Sequence, residues 1–109
     1  MTEEFAVHLD GGMLEYFRDI AHEMVARFGI SYAEAVARIN ERYEGAEISP
    51  YPDLMCHESA AFWAFGLYYF PDASGRLPSG DEDDDEGLDM STLRVRPAPP
   101  GGSRFWPRG

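Results

Sequence analysis

The sequence predicts an all-α fold: a small three-helix domain followed by an irregular acidic and Pro/Gly-rich C-terminal segment. Three observations carry this expectation. Apolar side chains recur three and four residues apart, mostly between Phe5 and Phe70, which is the period of helices with one buried face. Start and stop residues, Gly29 and Ser31 above all, fall where that period breaks and resumes. Beyond Pro71 the chain turns to Gly, Pro, Ser and Asp, with few side chains left to bury. A chain of 109 residues has room for one hydrophobic core. The expected division is therefore a helical domain over residues 1–71 and an irregular segment over 72–109.

Phe5, Val7 and Leu9 alternate with Ala6 and His8, which fits a short strand as well as an extra helical turn. Asp10 then stands where it can cap a helix, although Gly11 and Gly12 weaken its first turn. Met13, Tyr16, Phe17, Ile20, Met24 and Phe28 form a stripe that Ala21 and Val25 widen, with Glu15, Asp19, Glu23 and Arg27 largely opposite. This predicts an amphipathic helix of about four turns, stopped by Gly29. Ser31 and Glu34 have the spacing of a capping box, with Ile30 and Ala35 at the positions of a hydrophobic staple. A second helix is expected from Tyr32 to about Glu44, burying Ala35, Val36, Ile39 and Tyr43 and stopped by Gly45.

Pro50 and Pro52 exclude helix between these segments and the next. Asp53 is expected to cap a third helix running through Cys56 and His57 to about Tyr69, with Pro71 ending it. Its residues are apolar on almost every side, so it belongs at the centre of the fold or beneath another chain. From Asp81 to Glu86 six consecutive acidic residues predict a solvated loop. Leu88, Met90, Leu93 and Val95 suit an extended segment, laid over the core or forming one short strand pair with Phe5–Leu9. Pro97 to Gly102 excludes regular structure, and the end of the chain is expected to be a mobile tail, or one pinned by Phe105 and Trp106 between Arg104 and Arg108.

The formal net charge is -11, from 20 acidic and 9 basic residues, and every basic residue is Arg. Such a field repels nucleic-acid phosphates and anionic lipid and attracts basic partners. The expected partner is a basic protein or a second copy of the chain, with neither nucleic acid nor membrane. Cys56 is the only cysteine, which excludes an intramolecular disulfide and fits a reducing compartment. Met1-Thr2-Glu3-Glu4 has the wrong charge for the start of a signal peptide, and Ala60–Phe70 is too short to span a bilayer. Cytoplasmic residence is the expectation.

Two His-Glu pairs, His22-Glu23 and His57-Glu58, form a candidate polar site. A zinc-protease helix needs a second histidine four positions on, where this chain has Ala26 and Ala61. Cys56, His57, His22 and His8 lack the spacing of a zinc knuckle. Cys56 and His57 are neighbours, and on a helix neighbours point about 100° apart, a poor thiol–imidazole dyad. No glycine-rich phosphate loop is present. The sequence thus assigns no catalytic residue, no metal ligands and no cofactor. A small hydrolase-like enzyme remains an alternative only if the histidines and carboxylates converge.

The two helices joined by Gly29-Ile30-Ser31 have the outline of a helix-turn-helix, with Arg38, Asn40 and Arg42 on the second, but Glu34, Glu41 and Glu44 share it. Nucleic-acid binding by that helix is a second alternative. Tyr51, Phe62, Trp63, Tyr69, Phe105 and Trp106 exceed what a small core conceals. Of these, Phe62, Trp63, Tyr51 and Trp106 are the expected partner-binding residues. The run Phe28 to Ala35 with Ala37-Arg38-Ile39-Asn40, and later His57-Glu58 before Trp63-Ala64, resembles small helical proteins of bacteria over about forty residues. That resemblance implies a helical fold and no activity. The turn and alanine-rich helix also resemble a ubiquitin-associated domain, whose third-helix pattern this chain does not share. The function expected from the residues is non-catalytic: an adaptor, inhibitor or immunity-like protein that binds a basic partner.

Overall fold

The computed structural model describes residues 4–81 and 83–107. The leading Met1, Thr2 and Glu3, the acidic-run residue Glu82 and the last two residues, Arg108 and Gly109, lie outside the described residues. The fold is all-α, with three helices: α1 (Gly11–Phe28), α2 (Tyr32–Arg42) and α3 (Ala60–Tyr68). Two short 3-10 turns, Leu54–His57 and Met90–Thr92, complete the regular structure among the described residues. No described helix is long and apolar enough to cross a membrane.

The first two helices follow their local chemistry. Asp10 accepts from the Met13 amide at 2.9 Å, and Gly29 takes φ 68° while donating to the Val25 carbonyl at 3.1 Å. Ser31 Oγ accepts from the Glu34 amide at 3.0 Å. Glu34 does not reach back to complete the capping box; its carboxylate accepts from Arg38 Nε at 2.9 Å instead. α2 ends at Arg42, with Tyr43 as its cap, earlier than the expected Glu44.

The expected third helix is corrected. One continuous helix from Asp53 to Tyr69 does not form: a 3-10 turn covers Leu54–His57, Glu58 is extended at ψ 157°, and α3 starts afresh after Ser59. Two caps compete here, because Asp53 accepts from the Met55 amide and Ser59 from the Phe62 amide. Side chains also bind the carbonyls on either side of this break. Tyr16 Oη donates to Met55 O at 2.9 Å and to Glu58 O at 2.7 Å, and Trp63 Nε1 donates to Met55 O at 2.8 Å. Breaking the helix gives α1 a polar anchor on the loop.

α1 supplies the central layer, burying Met13, Phe17, Ile20, Ala21 and Met24. Phe17 meets Phe5 edge-on at 5.6 Å and Tyr43 at 5.4 Å, so one ring joins the leading segment, α1 and the end of α2. Phe5 and Val7 are buried while Ala6 and His8 are exposed, and residues 4–7 form a bend, neither a strand nor an extra helical turn. The strand pair considered for the two ends of the chain is absent: Val95 bridges Tyr69 instead. The Phe70 amide donates to Arg94 O at 2.9 Å and the Arg96 amide to Tyr68 O at 2.7 Å.

α2 buries two polar residues, Arg38 and Asn40, outside the expected buried set of Ala35, Val36, Ile39 and Tyr43. Asn40 Oδ1 accepts from the Ala6 amide at 2.8 Å, and its Nδ2 donates to Glu4 O at 3.1 Å and Phe105 O at 2.8 Å. One side chain thereby ties both ends of the described chain to α2. Arg38 donates through Nη1 to Arg96 O at 2.8 Å. The segment after Pro71 therefore runs back over the helices, with Pro78, Leu93 and Pro99 buried.

Candidate functional site

Arg38 and Arg42 stand one turn apart on α2, where i and i+4 side chains share a face. Opposite them, α3 presents Gly66 and Leu67, and Arg96 and Pro97 close the space from the returning chain. This leaves a hollow of about 250 Å³. A second hollow of about 260 Å³ shares Arg42, Gly66, Leu67 and Arg96 with it and adds Tyr43, Phe62, Trp63, Leu77 and Pro78. Together they form a cleft between α2 and α3, polar at one end and aromatic at the other. Gly66 gives it depth, since no side chain stands at that point of α3.

The three arginines differ in what holds them. Arg38 is buried; it pairs with Glu34 at 2.9 Å and its guanidinium lies 4.9 Å from the Tyr68 ring centre. Arg96 donates through Nε to Gly66 O at 3.0 Å and Tyr69 O at 2.9 Å, with its guanidinium 4.6 Å from the Phe70 ring centre. Arg42 is exposed and lies 5.4 Å from the Tyr43 ring centre. Among the described residues neither Arg42 nor Arg96 has a carboxylate within ion-pair range. The cleft is thus a local positive feature on a strongly negative chain.

Two of the four expected partner-binding residues meet here. Phe62 and Trp63 are half-buried, 5.0 Å apart and perpendicular, on the aromatic wall. Trp63 is held in place by its bond to Met55 O. Tyr51 lies elsewhere, 56% exposed, packed on Gly12 with its amide donating to Asp10 Oδ2 at 3.0 Å. Trp106 closes its own turn by donating to Pro99 O and Pro100 O. Leu54, 81% exposed beside the Tyr51 loop, was not singled out by the sequence.

The candidate polar residues are used separately. His22 is exposed on α1 with its ring 5.0 Å from Tyr32, and Glu23 pairs with Arg27 at 3.5 Å. His57 is exposed at the end of the 3-10 turn, and Glu58 contributes its carbonyl to Tyr16. No hydrogen bond joins the two pairs among the described residues, and no three His, Cys, Asp or Glu side chains there are grouped to hold a metal ion. The Cys56 thiol lies 3.6 Å from Met13 Sδ, and desolvation pushes its pKa up, away from thiolate chemistry. Of the helix-turn-helix candidates, Arg38 and Asn40 are committed to bonds within the chain.

Tyr16 supplies a pH-dependent test of this geometry. Burial, helped by the nearby Cys56, pushes its phenol from the ordinary 10.0 up to about 12. Below pH 10 both folded and unfolded forms hold this proton, so its full stabilisation is present. As pH rises toward 12 the unfolded chain loses the proton first, and stability falls. Urea titrations across that window are expected to show a steeper loss for the native chain than for Tyr16→Phe.

Among the cleft residues that the sequence did not single out are Arg96 and Gly66. Gly66, the one glycine within the apolar run Ala60–Phe70, was the signal available, because it weakens a helix relative to alanine and leaves one point of its face without a side chain. Comparison with protein-family models, curated proteins and solved structures finds nothing that matches this chain.

Proposed function

We propose that this chain is a non-catalytic binding protein, of adaptor, inhibitor or immunity-like type, which holds a basic protein partner at the Phe62–Trp63 end of the cleft. The carrying observation is the pair of perpendicular, half-buried aromatic rings beside an open hollow in a chain of net charge -11. Aromatic side chains anchored from behind are the usual source of binding energy, and Trp63 is anchored through its indole nitrogen. The surrounding negative field speeds encounter with a basic surface and suppresses acidic competitors. Cytoplasmic residence belongs to the same reading, supported by the single cysteine, which fits a reducing compartment.

Affinity capture from the native cell with the tagged chain, read by mass spectrometry, tests it. The expected result is a basic protein whose retention weakens with salt and is lost in Phe62→Ala. Retention indifferent to both salt and Phe62→Ala contradicts the reading, as does the absence of any retained protein. Self-association that is lost in the same variant would assign the face to a second copy.

A further inference from the structure

We infer that the cleft receives the last residue of a partner protein, seating a bulky apolar side chain against Phe62, Trp63 and Leu77 while its free α-carboxylate meets Arg42 and Arg96. The inference rests on the protein-binding reading above and specifies which part of the partner docks. The hollow beside Trp63, about 260 Å³, lies just below the ~300–1,000 Å³ of small-molecule sites, room for one large side chain. Its walls are apolar and its rim is cationic, so it asks for an apolar body and a negative group close together. A chain terminus carries both on one Cα. An Asp or Glu side chain brings the carboxylate without the apolar body.

The cations are ready for such a group. Arg96 is fixed by its Nε bonds to Gly66 O and Tyr69 O and by the Phe70 ring, and its hydrogen bonds to the protein run through Nε alone among the described residues. A pre-placed guanidinium loses little freedom on pairing. Arg42 adds a second charge across the shared wall of the two hollows. Long-range charge then selects the source of the carboxylate. A chain at -11 repels a free small anion, whereas a carboxylate ending a basic chain is drawn in by what precedes it. Glu41, on the adjoining hollow, suits a basic side chain upstream of that terminus.

The test uses fluorescein-labelled hexapeptide pools of the pattern Lys-Xaa-Lys-Xaa-Xaa ending in leucine or phenylalanine, as free acids and as C-terminal amides. Fluorescence polarisation is expected to show the free acids binding at least about tenfold tighter than the amides. Arg42→Gln, at an exposed position with an unchanged urea midpoint, is expected to erase that preference. Equal, salt-weakened binding of acids and amides overturns the terminus inference and leaves the protein-binding reading standing. No binding by either pool also overturns it, and the capture experiment then judges the broader reading separately. N-acetylphenylalanine displacing the peptides at equal concentration would make this a small-molecule site and overturn it as well.

Discussion

Replacing Phe17 by alanine is expected to lower the unfolding free energy by about 3–5 kcal/mol, the range for removing a fully buried aromatic ring. Phe17 has no exposed surface, and its ring packs against both Phe5 and Tyr43. The loss therefore combines the ring's own transfer free energy with a cavity that three segments border. For a chain of this size each kcal/mol moves the melting midpoint by roughly 4–8 °C, so the variant should melt more than about 12 °C lower. Urea unfolding followed by tryptophan fluorescence checks it, with the midpoint falling and the slope unchanged if the variant stays two-state.

Asn40→Ala is expected to cost about 2–4 kcal/mol, because it leaves three backbone groups without partners rather than removing one balanced bond. Those groups are the Ala6 amide and the Glu4 and Phe105 carbonyls, drawn from both ends of the described chain. Asn40→Asp separates the parts of this effect. The carboxylate still accepts from Ala6, but it faces two carbonyl oxygens in a buried place, which raises its pKa above the unfolded ~3.9. A raised carboxyl pKa gives stability that is present below the unfolded value and lost as pH rises through the folded one. Relative to the native chain, Asn40→Asp is therefore expected to be less destabilised at pH 4 than at pH 7. Parallel urea titrations at the two pH values decide it, and equal losses would remove Asn40 from the role assigned here.

What the sequence made legible was local. Asp10, Gly29 and Ser31 act within a few residues of themselves, and the structure has each cap where that chemistry places it. The third helix was misread because its fate depends on Tyr16, about forty residues earlier in the chain, taking the Met55 and Glu58 carbonyls. Within residues 53–69 the one local sign of the break is Ser59, a second helix cap that was not read as a start. Arg38 and Asn40 were legible as polar positions on α2, and their partners lie 58 and 65 residues away in Arg96 and Phe105. Burial of a polar side chain through distant partners leaves no periodic trace. Trp63 and Phe62 were legible as surplus aromatics in the composition, and the structure places both on the cleft wall. Arg96 was missed because it joins the cleft only through the returning chain.

The cleft depends on that returning chain, since without residues 93–106 it loses one wall and both buried polar side chains of α2 lose partners. Backbone ¹⁵N relaxation of the full chain tests this most directly. Order parameters near ~0.85 for residues 93–106, matching the three helices, are the result predicted. Values below ~0.6 over those residues, with rigid helices beside them, would contradict it.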